Sequence, residues 1–167
     1  MEFKIIKLPK ERWEEYKKLR IFAVTVDTLA FWTTPEEDKK RTDEDWMKNL
    51  GDNSPQPMFF IESNGELVGM IRVAINSGEK VKHNAFIYSF FVKPEMRGMG
   101  AGKALLEQAI SFLKEHNVKN VYLNVTVTQE NAIRLYKKWG FKVIGKYKNI
   151  LNYEGKYYDE DIMCLSL

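Results

Sequence analysis

One stretch constrains the fold of this chain more than any other. It runs Val92-Lys93-Pro94-Glu95-Met96-Arg97-Gly98-Met99-Gly100-Ala101-Gly102-Lys103-Ala104-Leu105-Leu106. An apolar run, Phe86 to Val92, leads into it, and an amphipathic run, Lys103 to Lys114, leaves it. That order reads as strand, tight glycine loop, helix. A helix start carries free backbone N–H groups at the positive end of the helix dipole, a place that attracts phosphate. Gly98, Gly100 and Gly102 lack the Cβ atoms that would hold a phosphate off the backbone. Two familiar phosphate loops fail on spacing. A P-loop needs four residues between its first Gly and its Gly-Lys pair, then Ser or Thr. Gly98 and Gly102 enclose only Met99, Gly100 and Ala101, and Ala104 follows Lys103. The dinucleotide fingerprint G-x-G-x-x-G needs an acid about 20 positions on. Here the third glycine comes early, and Val118-Lys119-Asn120 offers no acid.

The rest of the chain supplies a frame for this loop. With 167 residues, 44% of them apolar, residues 1–167 are expected to form a single domain with a sizeable core. A net charge of +3 gives no argument for nucleic acid, and it suits an anionic cofactor. No apolar stretch reaches the about 18 residues of a membrane span. Met1-Glu2-Phe3-Lys4 lacks a signal-peptide core, so a cytoplasmic location and no membrane partner are expected. Cys164 is alone and lies in the apolar run Ile162-Met163-Cys164-Leu165, which reads as an inert buried thiol. No metal site is expected.

Local patterns predict the elements. Phe3 to Leu8 is a short strand stopped by Pro9. Lys10 to Thr25 is a helix, with Trp13, Tyr16, Leu19, Arg20 and Ala23 near helical spacing. Thr34-Pro35-Glu36-Glu37 is a helix start, with Thr as cap and acids in the first turn. That helix is expected to continue to about Leu50, before Gly51 to Pro55 breaks the chain. Two apolar runs flank Asn64-Gly65 and predict a β-hairpin. Ala85 to Val92 is the strand that feeds the loop, and Lys103 to His116 is the helix that follows. Asn120 to Val127 is a further strand. Thr126-x-x-Gln129 has capping-box spacing, with Thr128 as the alternative cap. Helix Gln129–Trp139 then ends at Gly140. A last hairpin turns at Glu154-Gly155 and runs out through Tyr157 to Leu165.

Two segments carry a family likeness. Arg97-Gly98-Met99-Gly100-Ala101-Gly102 fits Arg-x-x-Gly-x-Gly and resembles the coenzyme A pyrophosphate loop of the GNAT superfamily of N-acetyltransferases. Asn131-Ala132-Ile133-Arg134-Leu135-Tyr136-Lys137-Lys138-Trp139-Gly140-Phe141 is similar to the helix that follows in the same superfamily. The likeness implies an α/β fold: a mixed, mainly antiparallel twisted sheet with helices on both faces. It also implies acetyl-CoA as cofactor and direct acetyl transfer to a primary amine in a ternary complex.

The resemblance implies roles for particular residues. The backbone of Gly98, Met99, Gly100, Ala101, Gly102 and Lys103 would cradle the pyrophosphate. Arg97 would either contact phosphate or serve the structure. Phe91 and Val92 would offer backbone groups to the pantetheine amides as a neighbouring strand does. Asn131 would bond the pantetheine arm. Tyr136 would be the general acid at the sulfur, a core tyrosine being the competing reading; a phenol with a pKa of about 10 keeps its proton at neutral pH. No base is apparent. Ribosomal-protein alanine N-acetyltransferases carry a Glu where this chain has Asn124, and the strand Ala85–Val92 contains no acid. A water chain ordered by Tyr88, Ser89 or Asn124 is then the expected relay, with Glu37 and Asp159 as remote carboxylates. Phe31, Trp32, Glu37 and Tyr157 are the expected acceptor-pocket residues, against a reading of the aromatics as core or strand edge. The acceptor is expected to be a small-molecule amine. A protein N-terminus or Lys, or a non-catalytic acyl-CoA-binding sensor, are the alternatives, and a homodimer stays open.

Overall fold

The computed structural model describes residues 2–167. Its strands are β1 (Lys4–Ile6), β2 (Met58–Ser63), β3 (Glu66–Ile75), β4 (Asn84–Val92), β5 (Asn120–Thr126), β6 (Lys142–Tyr153) and β7 (Lys156–Ser166). Its helices are α1 (Trp13–Val26), α2 (Pro35–Lys39), α3 (Asp43–Met47), α4 (Ala101–Glu115) and α5 (Glu130–Lys138). The strands form one sheet in the order β1-β2-β3-β4-β5-β7-β6, and only the β4–β5 pair is parallel. This is the mixed, mainly antiparallel α/β sheet that the sequence predicts.

Strand alternation sorts the core into two layers. Ile61, Ile71, Val73, Ala85, Ile87, Val121, Leu123 and Val125 face α4 and α5. The α4 residues Leu105, Leu106, Ala109, Ile110 and Leu113 are buried against them, each Leu or Ile contributing about 1.5–3 kcal/mol. Gly69 lets α4 approach β3, since a Cβ there would stand 3.2 Å from Leu105 and from the Phe91 carbonyl. On the other face Phe60, Met70 and Phe91 pack with Tyr16, Leu19, Ala23 and Trp46 of α1 and α3. Two consecutive left-handed residues, Asn64-Gly65 and Glu154-Gly155, turn the two hairpins, as that dipeptide chemistry demands.

Two expectations from the sequence are corrected. The helix expected from Thr34 to about Leu50 is two short helices, α2 and α3. Each starts with its own capping box: Thr34 with Glu37, and Thr42 with Asp45. Thr42 adopts an extended backbone, so the chain cannot continue helical through it. Neither Thr126 nor Thr128 caps α5, which has no side-chain cap. The Thr126 hydroxyl instead donates to the Leu29 carbonyl, 2.5 Å away.

A buried ion pair locks the α1–α2 arm to the sheet. Arg20 of α1 donates to Asp38 of α2 at 2.8 Å, to Thr33 at 2.9 Å and to the Ser89 hydroxyl of β4 at 3.0 Å. Its guanidinium lies 4.4 Å above the Phe31 ring centre. Asp38 is fully buried. Removing one partner of such a pair strands the other charge in a poorly solvated site. Asp38→Ala is therefore expected to cost about 3–5 kcal/mol in urea denaturation. A loss below about 1 kcal/mol, the worth of an exposed pair, would contradict this account.

Candidate active site

The site begins where two strands part. β4 and β5 pair through Asn84–Asn120, Ala85–Val121 and Phe86–Tyr122 and no further. Beyond them, the rest of β4 has β3 on one side only, and the rest of β5 has β7 on one side only. Ser89 sits at this point with φ 53°, a conformation that costs a non-glycine residue energy. The register between β3 and β4 shifts beside it. The irregularity turns Phe90 towards Tyr136 and Phe91 towards Phe22 and Phe31 on the other face.

The glycine loop opens just beyond β4. Gly98 and Gly100 have φ of 76° and 84°, where a Cβ would be strained, and a Cβ at either would meet no atom within 4 Å. At these two glycines the loop's surface is open. Gly100 is the α4 N-cap and supplies no capping side chain. Among the described residues the N–H groups from Gly98 to Lys103 find no protein acceptor. Met99 is exposed and Ala101 is buried. Arg97 is not aimed at the loop's open side. It donates to the Val92 carbonyl at 2.9 Å and pairs with Asp27 at 2.5 Å, tying the loop to β4 and to the end of α1.

Tyr136 of α5 is buried, with its ring centre 5.9 Å from Phe90 and 5.7 Å from Phe141. Burial pushes its hydroxyl well above the ordinary tyrosine pKa, so it carries its proton at any physiological pH. The Phe141 N–H bonds the Tyr136 carbonyl and the Gly140 N–H bonds that of Lys137, which fixes the helix end around a left-handed Gly140. Asn131, at the start of α5, accepts from Arg134 at 2.8 Å.

The residues expected to relay a proton are only partly assembled. Tyr88 and Asn124 are exposed on the face of the sheet opposite α4. Tyr88 stacks on Phe86, which meets Tyr122 at 5.4 Å, and this makes an open aromatic row. Arg72 of β3 lies under the row, 4.9 Å from the Tyr88 ring centre, with its Nε buried and unpartnered. The Ser89 hydroxyl is engaged by Arg20 instead.

The expected acceptor residues separate into three groups. Phe31 is buried beneath Arg20. Trp32 is exposed and its indole N–H reaches β7, donating to Glu160 at 3.0 Å. Glu37 is spent on the α2 cap, its carboxylate accepting from the Thr34 N–H at 2.7 Å. Tyr157 is exposed, but alternation along β7 puts it on the opposite face from Glu160, together with Asp159 and Asp161. Asp159 is bound by Lys148 at 2.7 Å and by the Asn149 N–H at 2.9 Å, which holds its carboxyl below the usual range.

Glu160 is the functional-looking group that the sequence reading passed over. It is 4% exposed. Its Oε1 accepts from Trp32, and its Oε2 is buried without a partner. Burial raises its carboxyl above the ordinary glutamate pKa, and the hydrogen bond from Trp32 only partly opposes this. The signal was present in the pattern: Met163 packs into the α4–α5 core, so an acid at Glu160 must face the other way.

A glycine cradle at a helix start, beside a parted pair of parallel strands, is a place suited to a phosphate-bearing ligand, and comparison with known proteins gives the chain a family. The acetyltransferase (GNAT) family model matches residues 13–141. The chain belongs to this family, whose members are acetyl-CoA-dependent N-acetyltransferases. A Bacillus subtilis protein named for alanine N-acetylation of ribosomal protein bS18 is 30% identical over 69% of this chain and 73% of its own. The spermidine N(1)-acetyltransferase of Vibrio cholerae is 24% identical over 78% of this chain and 75% of its own. Two archaeal relatives, 34% and 36% identical, match over 47% and 56% of their own lengths, so the chain spans about half of each. A Salmonella typhimurium structure, described with its cofactor acetyl-CoA, superposes with a TM-score of 0.79 at 20% identity, covering 99% of this chain and 94% of that one.

The Glu160 carboxyl makes stability depend on pH with a definite sign. Its folded pKa is raised above 4.5, so the folded state holds this proton more tightly than the unfolded state. The group's stabilising contribution is full below that value and is lost as pH rises through the folded pKa. Glu160→Gln is expected to unfold at a higher temperature than the parent at about pH 7, with the gap closing towards about pH 4. A gap that is equal at both pH values contradicts the burial argument.

Proposed function

We propose that this chain transfers an acetyl group from acetyl-CoA to a small-molecule primary amine, directly, with both substrates bound together. The observation that carries the reading is the uncapped α4 start with its bare glycine loop, set against the unpaired half of β4. The residues fit the donor. Gly98 and Gly100 leave open the space a phosphate needs, and the N–H groups from Gly98 to Lys103 are free to donate to it. Beyond Phe86 the β5 side of β4 is unpaired, and an amide-bearing arm can join it near Phe91 and Val92 as an added strand, sharing the Val92 carbonyl with Arg97. Asn131 stands at the α5 start, where its side chain can bond the same arm if it leaves Arg134. Acetyl-CoA supplies an acetyl group activated as a thioester.

The chain's own groups then handle protons. Tyr136 beside Phe90 keeps its hydroxyl proton at neutral pH and is the donor for a leaving thiolate. Tyr88 and Asn124 order water on the open face next to the parting. Cys164 does not carry the acetyl group: burial raises its thiol pKa, which supports direct transfer over a covalent relay. Arg97 acts as a strut rather than a phosphate ligand.

The small-molecule reading is supported by the open aromatic row Phe86, Tyr88 and Tyr122, and by the likeness to the spermidine enzyme. It is further supported by Asn124, which stands where ribosomal-protein alanine N-acetyltransferases carry a Glu. No helix among the described residues is long and apolar enough to cross a membrane.

Three measurements test the reading. Free thiol release from acetyl-CoA across polyamines, amino acids, aminoglycosides and peptides is expected to depend on a small amine. Tight CoA binding with no acceptor-dependent thiol would favour a sensor. Tyr136→Phe is expected to lower kcat by about 10²–10⁴ with CoA affinity kept, and an unchanged kcat at all pH values refutes the acid assignment. Gly100→Val should weaken CoA at least about tenfold in calorimetry, equivalent to about 1.4 kcal/mol. Unaltered CoA affinity in that variant removes the loop from the site.

A further inference from the structure

Across β4 to β7, the sheet face opposite α4 and α5, which carries the open aromatic row and is the acceptor's side in the reading above, is nearly devoid of acids. Alternation places Phe86 and Tyr88 of β4, Tyr122, Asn124 and Thr126 of β5, and Ile162 of β7 on it. β4, β5 and β6 contain no Asp or Glu at all. On β7, Asp159 and Asp161 point to the opposite face, where Lys148 and Lys146 hold them. Glu160 is left as the one carboxylate of these four strands on the acceptor face.

We propose that Glu160 is the carboxylate that receives the acceptor's primary ammonium group and takes its proton. This rests on the reading of the chain as an N-acetyltransferase. Glu160 stands directly across from Thr126 on β5 and diagonal to Asn124, beside the stretch of β5 that has left β4 and four residues beyond Tyr122, the last β5 residue paired with β4. Its carboxylate is poorly satisfied for a group so deeply buried. The Thr126 hydroxyl has one proton, which goes to the Leu29 carbonyl at 2.5 Å, and its contact with Glu160 is a long 3.5 Å. That leaves the Trp32 indole as the one strong donor, on Oε1. Oε2 has none, and no ion pair among the described residues includes this residue. A buried carboxylate with a vacant oxygen and no cation lacks positive charge and N–H donors, and a primary ammonium supplies both.

Trp32 is 62% exposed and lies on the connection between α1 and α2, held to β7 by a single side-chain hydrogen bond. Release of that one bond lets the exposed indole turn aside to admit an ammonium, without disturbing the Arg20–Asp38 pair that holds the connection. Proton transfer then breaks one N–H bond of the ammonium and forms an O–H bond on Oε2. The charges on nitrogen and carboxylate cancel, the amine keeps its lone pair for attack, and solvent later removes the proton. The groups facing Glu160 leave its titration simple: Tyr147 across on β6, Tyr158 two residues before it on β7, and Thr126 and Trp32. Burial lifts its pKa, and that makes it a stronger base than an exposed carboxylate.

The test uses the full chain with the best amine from the thiol-release panel. Glu160→Gln is expected to lower kcat/KM by about 10²–10⁴ and to flatten the acidic limb of its pH profile, while CoA affinity by calorimetry is unchanged. Glu160→Asp should restore part of the rate and shift that limb. A second readout needs no turnover: the Trp32 indole N–H resonance, assigned with Trp32→Phe, should titrate with an apparent pKa above 4.5 in the parent and stay flat in Glu160→Gln. If Glu160→Gln keeps the parent's acidic limb and rate, or loses rate equally at every pH, Glu160 is structural and the proposal falls alone. If CoA binds but no amine yields thiol in the parent, the acetyltransferase reading falls and takes the proposal with it.

Discussion

The structure depends on an interruption: β4 and β5 run parallel, pair over three residues each, and then separate. A parallel pair that continued would close the edge of β4 and leave no place for a third chain-like partner. Beyond the separation β4 is itself irregular. Ser89 adopts a left-handed backbone that a regular strand cannot contain, and the strand leaves that point with Phe90 and Phe91 directed to opposite faces. The unpaired N–H and C=O groups this exposes would be a liability elsewhere in a sheet. Here they lead straight to the bare glycine loop and the uncapped start of α4.

The left-handed Ser89 is supported from outside its own strand. Arg20 reaches across from α1 to its hydroxyl and is itself neutralised by Asp38 and propped by Thr33 and Phe31. The same arm, one residue further, carries Trp32 to Glu160 on β7. One short connection therefore steadies the irregular strand with one side chain and covers the acceptor-face carboxylate with the next. Arg97 completes the arrangement from below by joining Val92 to Asp27. These contacts join the glycine loop and β4 to the sheet face that carries Glu160.

Much of this was legible in the sequence because its causes are local. The glycine spacing, the two hairpin dipeptides and the Gly140 stop each depend on a few adjacent residues. The break between α2 and α3 was equally local, since Thr42-x-x-Asp45 repeats the cap of Thr34-x-x-Glu37; apolar periodicity across Trp46 masked it. What could not be read arises from distant partners. Arg20 and Asp38 carry no mark of their pairing, and Arg97 follows Asp27 and Val92 rather than phosphate for reasons visible only in three dimensions. Thr126 looked like a cap and serves as a tie to Leu29. Glu160 sits among Asp159 and Asp161, and only the register of β7 against β5 decides which of the three faces the acceptor side.

Backbone amide exchange tests the central claim most directly, because the account assigns donor binding to main-chain groups. Hydrogen exchange of the full chain with and without CoA is predicted to show new protection in two segments together: the loop from Gly98 to Lys103, and the unpaired edge from Tyr88 to Val92. Protection confined to other segments, or none at saturating CoA, would contradict the assignment of the parted strands and the glycine loop as one donor site.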